Sequence, residues 1–327
     1  MSERALEAPA ISVVIPAFNA QRFLETTVEA LRRQSFTSWQ LVIVDDGSRD
    51  ETLRVAGRLA TQDKRITVVR QPNAGPAAAR NTGFSASSRQ SWAVMFLDAD
   101  DVLVTDALEH LALALMRRPE AVAAYGLARF IDGDGEPIRI GEAEAWSRDR
   151  HGLKGNRIVK VPLHESTTLD VLIVADRVFG PSCVLVRRAP FEAIGGFDPD
   201  PLSMGHEDWD LWLRLAARGE LVLVDRVVVG YRRHGSNLSA NAKKMDRSRW
   251  YVHHKLARSE ALTDEQRRVV QAAVRYARLL SARYWLSWAR GSASHGHLLR
   301  GANQTRHAVA DLIHYSIEAV RARALTR

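Results

Sequence analysis

Cysteine is almost absent from this chain of 327 residues: Cys183 stands alone. An intramolecular disulfide and a cysteine-based zinc site are therefore excluded, and a reducing cytoplasm is the expected setting. Long apolar runs are missing too. No stretch approaches the roughly 20 uninterrupted apolar residues of a spanning helix, so a membrane-spanning architecture is not expected. The first ten residues carry Glu3, Arg4 and Glu7 without an apolar run, so no secretory leader is expected there. The three spaced glycines of a dinucleotide fingerprint are also lacking, as is the phosphate loop of nucleotide hydrolases. The first strand-to-helix turn reads Pro16-Ala17-Phe18-Asn19 instead.

What remains is an ordinary globular composition, 46% hydrophobic and 26% charged. The length suits one large α/β domain with an appendage, or two domains. The net charge of +8 is unevenly placed. Residues 245–327 hold 15 Lys and Arg against 6 Asp and Glu, while residues 1–244 hold 31 against 32. A near-neutral body with a basic attachment follows. We place the boundary between a domain at 1–240 and a basic helical extension at 241–327.

Along the body, two periods alternate. Ile11–Ile15, Gln40–Val44, Ile66–Val69 and Trp92–Leu97 are apolar runs suited to strands buried on both faces. Between them lie helical patterns: Leu24, Val28 and Leu31 on one face, a helix opened by a Ser48–Glu51 capping box, and Pro76–Ser87 with proline in its first turn. Thr105–Arg117 is the next helix. Such alternation predicts a mostly parallel sheet with right-handed crossovers, flanked by helices in the Rossmann manner. Ligands of such sheets bind beyond the carboxyl ends of the strands. The chemistry is then expected at residues 16–19, 45–48, 72–75 and 98–101.

Further along, Ala121–Phe130 continues the strands, and Asp132-Gly133-Asp134-Gly135 predicts a hairpin turn. Glu136–Val161 lacks a clear period and reads as a long loop or lid. Phe179–Arg187 predicts a strand, Gly205–Gly219 a helix, and Leu221–Val224 and Val227–Tyr231 two short strands. From Met245 onward the pattern is helical, with a break near Gly291–Gly296.

The predicted carboxyl ends are acidic. Asp98-Ala99-Asp100-Asp101 places three carboxylates within four residues. Their repulsion is relieved by a hard divalent cation, and oxygen ligands select Mg²⁺ or Mn²⁺. An Asp-rich turn capping the next helix accounts for the same residues. Asp45-Asp46-Gly47-Ser48 suits either a base- or ribose-binding acid at Asp45 or a plain turn. Arg80 falls one turn into the helix after Gly75, within reach of a phosphate or a base, or simply in solvent. His206-Glu207-Asp208 opens a helix beside Trp209, which suits a general base near an apolar wall as well as dipole-favoured acids. His234 follows a strand end, where a metal ligand, a phosphate contact or a surface imidazole is at home.

In order and spacing these segments resemble the inverting family-two glycosyltransferases of the GT-A fold. The resemblance rests on Val14–Asn19, Val44–Ser48, Asn73–Asn81, Leu97–Asp101, Gly195–Asp198, His206–Asp208 and Tyr231–His234. It spans about residues 11–237 and leaves out 245–327. It implies transfer of a sugar from a nucleotide-diphosphate sugar, usually UDP-linked, to a hydroxyl of a saccharide or lipid-linked acceptor in cell-envelope polysaccharide, lipopolysaccharide or glycolipid synthesis. It implies that Pro16 and Ala17 border the base and ribose, that Asp45 binds the base, and that Arg80 lies by the base or diphosphate. Asp98 would contact the ribose or metal, Asp100 would ligate Mn²⁺ or Mg²⁺, and His234 would approach the metal-diphosphate group. Asp208 would be the catalytic base, with Glu207 orienting the acceptor or sharing that task.

Trp250, Tyr251, Tyr284, Trp285 and Trp288 sit among basic residues. Such helices suit peripheral contact with the inner face of a membrane, packing on the catalytic body, or a homodimer surface. No nucleic-acid motif accompanies the charge, so nucleic acid is not an expected partner. Rival functions are a sugar-nucleotide-binding or interaction protein without catalysis, and a nucleotidyltransferase. The latter needs a glycine- and lysine-rich phosphate loop where Pro16–Asn19 stands.

Overall fold

Apolar runs with no polar face have to be covered on both sides, and the structure covers them. The computed structural model describes residues 10–138, 143–155, 157–234 and 242–276. Strands β1 (Ile11–Ala17), β2 (Trp39–Asp45) and β3 (Ile66–Arg70) alternate with helices α1 (Leu24–Arg32), α2 (Thr52–Gln62) and α3 (Pro76–Ala86). Strands β4 (Ala93–Phe96) and β5 (Val102–Leu103), helix α4 (Ala107–Arg117) and strand β6 (Ala123–Ile131) follow. The apolar residues Ile11, Val13, Val14 and Ile15 of β1 and Leu41, Val42, Ile43 and Val44 of β2 are almost fully buried. Each Val, Ile or Leu so covered contributes about 1.5–3 kcal/mol.

Helix α5 (Ala143–Arg148) and the hairpin β7 (His151–Lys154) and β8 (Arg157–Lys160) lie where one long loop was expected, and helix α6 (Leu169–Leu172) follows. The hairpin is tied to the chain that follows it by the residue just before β7. Arg150, fully buried, donates to Pro162 O at 2.8 Å and to Thr167 Oγ1 at 2.8 Å. Strand β9 (Val184–Arg187) and helices α7 (Arg188–Ala193) and α8 (Glu207–Ala216) come next, then β10 (Leu221–Arg232) and α9 (Ala242–Ala257). Residues 264–276 are again helical. Three sequence expectations shift here. Pro181–Cys183 forms a 3-10 turn, so that strand begins at Val184. The two strands expected around residues 221–231 are one, its polar interruption absorbed by register shifts between Leu223 and Val229. The capping box does not form: Ser48 Oγ accepts from Asn19 N at 3.0 Å, and the helix begins at Thr52.

The main sheet runs β3-β2-β1-β4-β9-β6-β10-β5. β3, β2, β1 and β4 are mutually parallel, β6 and β10 are parallel, and β9 and β5 run antiparallel to their neighbours. Helix α3 lies close on this sheet because residue 83 is glycine. A Cβ there would stand 2.3 Å from Val14 Cγ1 and 3.0 Å from Val44 Cγ2. On the same helix, Arg80 reaches Asp98, two residues past the end of β4.

Helix α9 packs directly behind α8. His206 Nδ1 and Ser248 Oγ are 2.7 Å apart, and His253 meets Trp209 edge-on at 4.9 Å. Lys255 Nζ reaches Asp198 Oδ2 at 2.7 Å and Asp210 Oδ1 at 2.8 Å. Tyr251 donates to Asp200 Oδ2 at 2.8 Å. Tyr284, Trp285, Trp288 and the break near 291–296 lie outside the described residues. No described helix is long and apolar enough to cross a membrane.

Candidate active site

The loops at the carboxyl ends of β1, β2 and β3 are tied to one another by side chains. Asn19 holds a left-handed backbone, φ 50°, which its short polar side chain tolerates. Its N–H donates to Ser48 Oγ at 3.0 Å, and its Oδ1 accepts from Arg49 N at 2.9 Å. Asp46 accepts from Gln71 Nε2 at 2.7 Å and Ala74 N at 2.9 Å through Oδ1, and from Gly75 N at 3.0 Å through Oδ2. Gly47 is required between them: its φ is +73°, and a Cβ would stand 2.8 Å from Asn73 N.

Pro16, Ala17 and Asp45 come together across the β1–β2 pairing, where Ala17 faces Asp45. Pro16 is half-buried and Ala17 buried. Asp45 is fully buried, and its Oδ1 accepts from Ser48 N at 3.3 Å. Its Oδ2 is buried without a hydrogen-bond partner, and Arg70 Nε lies 3.4 Å away. A buried carboxylate oxygen left in this state has a strong demand for a donor.

Arg80 is buried rather than solvated. It joins two acids that are far apart in sequence, donating to Asp98 Oδ1 at 2.7 Å and to Glu207 Oε1 at 3.1 Å. Burial opposes its charge, but Asp98 and Glu207 outweigh that and raise its pKa. Phe197 supports it, with the guanidinium 5.1 Å from the ring centroid. Glu207 also accepts from Gly205 N at 2.6 Å, so both of its oxygens are engaged. Asp98 shares its backbone N–H with Ser182 Oγ at 3.0 Å. Burial, against the pull of Arg80, raises the Asp98 carboxyl, and the Asp100 charge adds to the rise.

Asp208 is next to this cluster at the start of α8. Burial and the Glu207 charge push its carboxyl up to about 7, with Arg80 opposing. Its Oδ1 accepts from Trp209 N at 2.8 Å. A carboxylate titrating near neutrality is suited to removing a proton from a hydroxyl.

The second acidic pairing joins Asp100 to His234, Oδ2 to Nε2 at 2.7 Å. The imidazole stacks on Phe23 at 5.0 Å between centroids. Arg232 sets this turn, its Nε donating to Asp100 O at 2.8 Å and its backbone N–H to Asp101 Oδ1 at 3.1 Å. Burial and the Asp100 and Asp98 charges raise the Asp101 carboxyl well above the usual range. Among the described residues, no group of three or more His, Cys, Asp or Glu side chains is gathered as a metal cage. The donor set still fits Mg²⁺ or Mn²⁺. One hard oxygen, one imidazole and a neighbouring second carboxylate suit ions that keep most positions for water and substrate phosphates.

The predicted residues therefore fall into three groups: Pro16, Ala17 and Asp45; Arg80, Asp98, Glu207 and Asp208; and Asp100 with His234. Sequence reasoning missed Asp46 as the clamp of the 71–75 loop, and it missed Arg232 and Ser182 as supports of the acidic turn. An acid directly before Gly47 was a visible signal for the first. Nothing local marks the other two.

A family model described as Glycosyl transferase family 2 matches residues 12–195, more than half of the chain. The putative teichuronic acid biosynthesis glycosyltransferase TuaG of Bacillus subtilis strain 168 is 28% identical over 252 residues, covering 76% of this chain and 89% of that protein. An uncharacterized glycosyltransferase of Haemophilus influenzae is 33% identical over 136 residues, covering 41% of this chain and 53% of that protein. The matched part is thus about half the length of that second relative. Among solved structures, S. aureus TarS 1-349 in complex with UDP-GlcNAc aligns with a TM-score of 0.63 at 17% identity, over 93% of this chain and 81% of that one. Mannosyltransferase PcManGT from Pyrobaculum calidifontis, in complex with GDP-Man and Mn²⁺, aligns with a TM-score of 0.59 at 18% identity, over 94% and 88%. At these identities the likeness is one of fold, the GT-A fold expected from the motifs. The mixed sheet, the acidic turns at its carboxyl edge and the family match converge: this chain belongs to glycosyl transferase family 2.

Proposed function

We propose that this protein transfers a sugar from a UDP-linked donor to a hydroxyl of a saccharide or lipid-linked acceptor, with inversion, in cell-envelope polysaccharide synthesis. The observation that carries the reading is Asp208: a carboxylate raised to about 7 beside the Arg80, Asp98 and Glu207 cluster. TuaG, by name a teichuronic acid biosynthesis enzyme, and TarS, solved with UDP-GlcNAc, favour the donor and the pathway class.

Asp45, whose Oδ2 lacks a hydrogen-bond partner and lies 3.4 Å from Arg70 Nε, would accept an N–H of the base. Pro16 and Ala17 border the same space. Asp208 takes the proton of the acceptor hydroxyl as that oxygen attacks the anomeric carbon. Attack from the face opposite the departing diphosphate inverts the configuration. Glu207, fixed by Arg80 and Gly205 N, keeps the start of α8 in place. Mn²⁺ or Mg²⁺ supplies, when bound, the positive charge that the leaving diphosphate needs. Asp100 and His234 would hold it, with Asp98 alongside. No second carboxylic acid is then needed for departure, unlike glycoside hydrolysis.

The test is thermal unfolding with UDP, GDP and UDP-GlcNAc, each with and without Mn²⁺, on wild type and Asp100→Ala. Metal-dependent stabilisation by a uridine nucleotide that the substitution removes is the expected result. Stabilisation of Asp100→Ala equal to wild type would overturn the metal assignment. No shift with any nucleotide would overturn the donor site.

A further inference from the structure

Trp146 is half exposed, at 50%. It is nevertheless held firmly. Its indole Nε1 donates to Asp176 O at 2.8 Å. The Arg177 guanidinium lies 4.5 Å from the indole centroid, against one side of the ring. Arg177 also donates to Trp146 O and to Asp149 Oδ2, each at 3.3 Å. The pose of the ring is thus fixed before any ligand arrives, which lowers the entropy cost of binding.

The segment that holds it links two catalytic elements. At its start, Leu172 O accepts from Trp209 Nε1 of helix α8 at 2.9 Å, one residue after Asp208. At its end, Ser182 Oγ accepts from Asp98 N. Asp176 and Arg177 lie between these anchors. Asp176 Oδ1 accepts from Val178 N at 3.1 Å; burial raises its carboxyl well above the usual range, and the Asp208 charge adds to the rise.

We propose that Trp146 is a stacking platform for a pyranose ring of the acceptor. The inference rests on the acceptor being a saccharide, as in the proposed function. The chemistry favours it. The negative face of an indole attracts the slightly positive C–H face of a pyranose, and the apolar contact excludes water.

The experiment uses saturation-transfer NMR on the full chain with UDP and Mn²⁺. The probes are methyl β-D-glucopyranoside, methyl β-D-galactopyranoside and methyl 2-acetamido-2-deoxy-β-D-glucopyranoside. At least one should give transfer to its ring C–H protons in wild type. That signal should fall at least fivefold in Trp146→Ala and in Trp146→Leu, which keeps apolar bulk but has no π face. Trp146→Phe should keep half or more. The melting shift caused by UDP with Mn²⁺ should be the same in all four proteins. A wild type that responds to UDP but to none of the glycosides overturns the platform, as does an undiminished signal in Trp146→Leu. A wild type with no UDP response sinks the donor reading instead, while Trp146-dependent glycoside signals still stand for the platform.

Discussion

Replacing Arg80 with methionine tests the centre of the site. The guanidinium is buried and donates to Asp98 Oδ1 at 2.7 Å and to Glu207 Oε1 at 3.1 Å. Methionine keeps much of the apolar stem but leaves both carboxylates without a cation. Breaking one partner out of a buried ion pair costs about 3–5 kcal/mol. In a body of this size each 1 kcal/mol moves the melting temperature by roughly 2–4 °C, so a fall of about 6–20 °C is expected at pH 7.5. Acidification protonates the stranded carboxylates, so the deficit should narrow as the pH is lowered toward about 4. Arg80→Lys should fall between the two, because an ammonium cannot span both acids as a planar fork does. Circular dichroism melts of the three proteins from pH 4 to pH 8 measure all of this. A methionine variant melting within about 2 °C of wild type at pH 7.5 would refute the argument, since the cost would then be below about 1 kcal/mol.

Three further outcomes are expected. Turnover should rise with pH up to about 7 and then level, as Asp208 loses its proton; a flat profile from pH 5 to 8 would remove Asp208 as the base. Asp208→Asn should keep donor binding and lose about 10²–10⁴ in rate. It should also melt no lower than wild type at pH 8: a folded-state carboxyl raised to about 7 contributes stability below its unfolded value, and that is lost as the pH rises through 7. Equal turnover, or a large drop in melting temperature, contradicts this. Asp46→Ala removes three accepted hydrogen bonds from the 71–75 loop, costs at least about 2 kcal/mol, and should weaken UDP binding measured by calorimetry. Unchanged UDP affinity would mean that the loop does not shape the donor site.

The parallel half of the sheet was legible because Ile11–Ile15, Gln40–Val44 and Trp92–Leu97 have no polar face, and only a strand covered on both sides satisfies that. The carboxyl-edge rule then located the acidic turns. Residues 136–161 were not legible: Arg150 fixes that region through Pro162 and Thr167, contacts that no local pattern announces. Asp225 and Arg226 looked like a strand break, yet β10 runs through them with a shifted register. Arg80 looked like a surface residue because one of its partners, Glu207, lies 127 positions away. Identity of residue type was readable in the site; pairing was not, since pairing belongs to the tertiary fold.

The bond from Lys255 to Asp198 and Asp210 bears on how this chain can be divided. Asp210 is buried, two positions after Asp208, and Arg214 at 2.7 Å is its other cation. A chain cut at residue 240 would strip Lys255 from both acids and Ser248 from His206, the residue before Glu207. The damage would appear at the helix that presents Asp208, although the cut lies past the last motif, Tyr231–His234. The smallest stable fragment of this chain is therefore longer than its recognisable sequence.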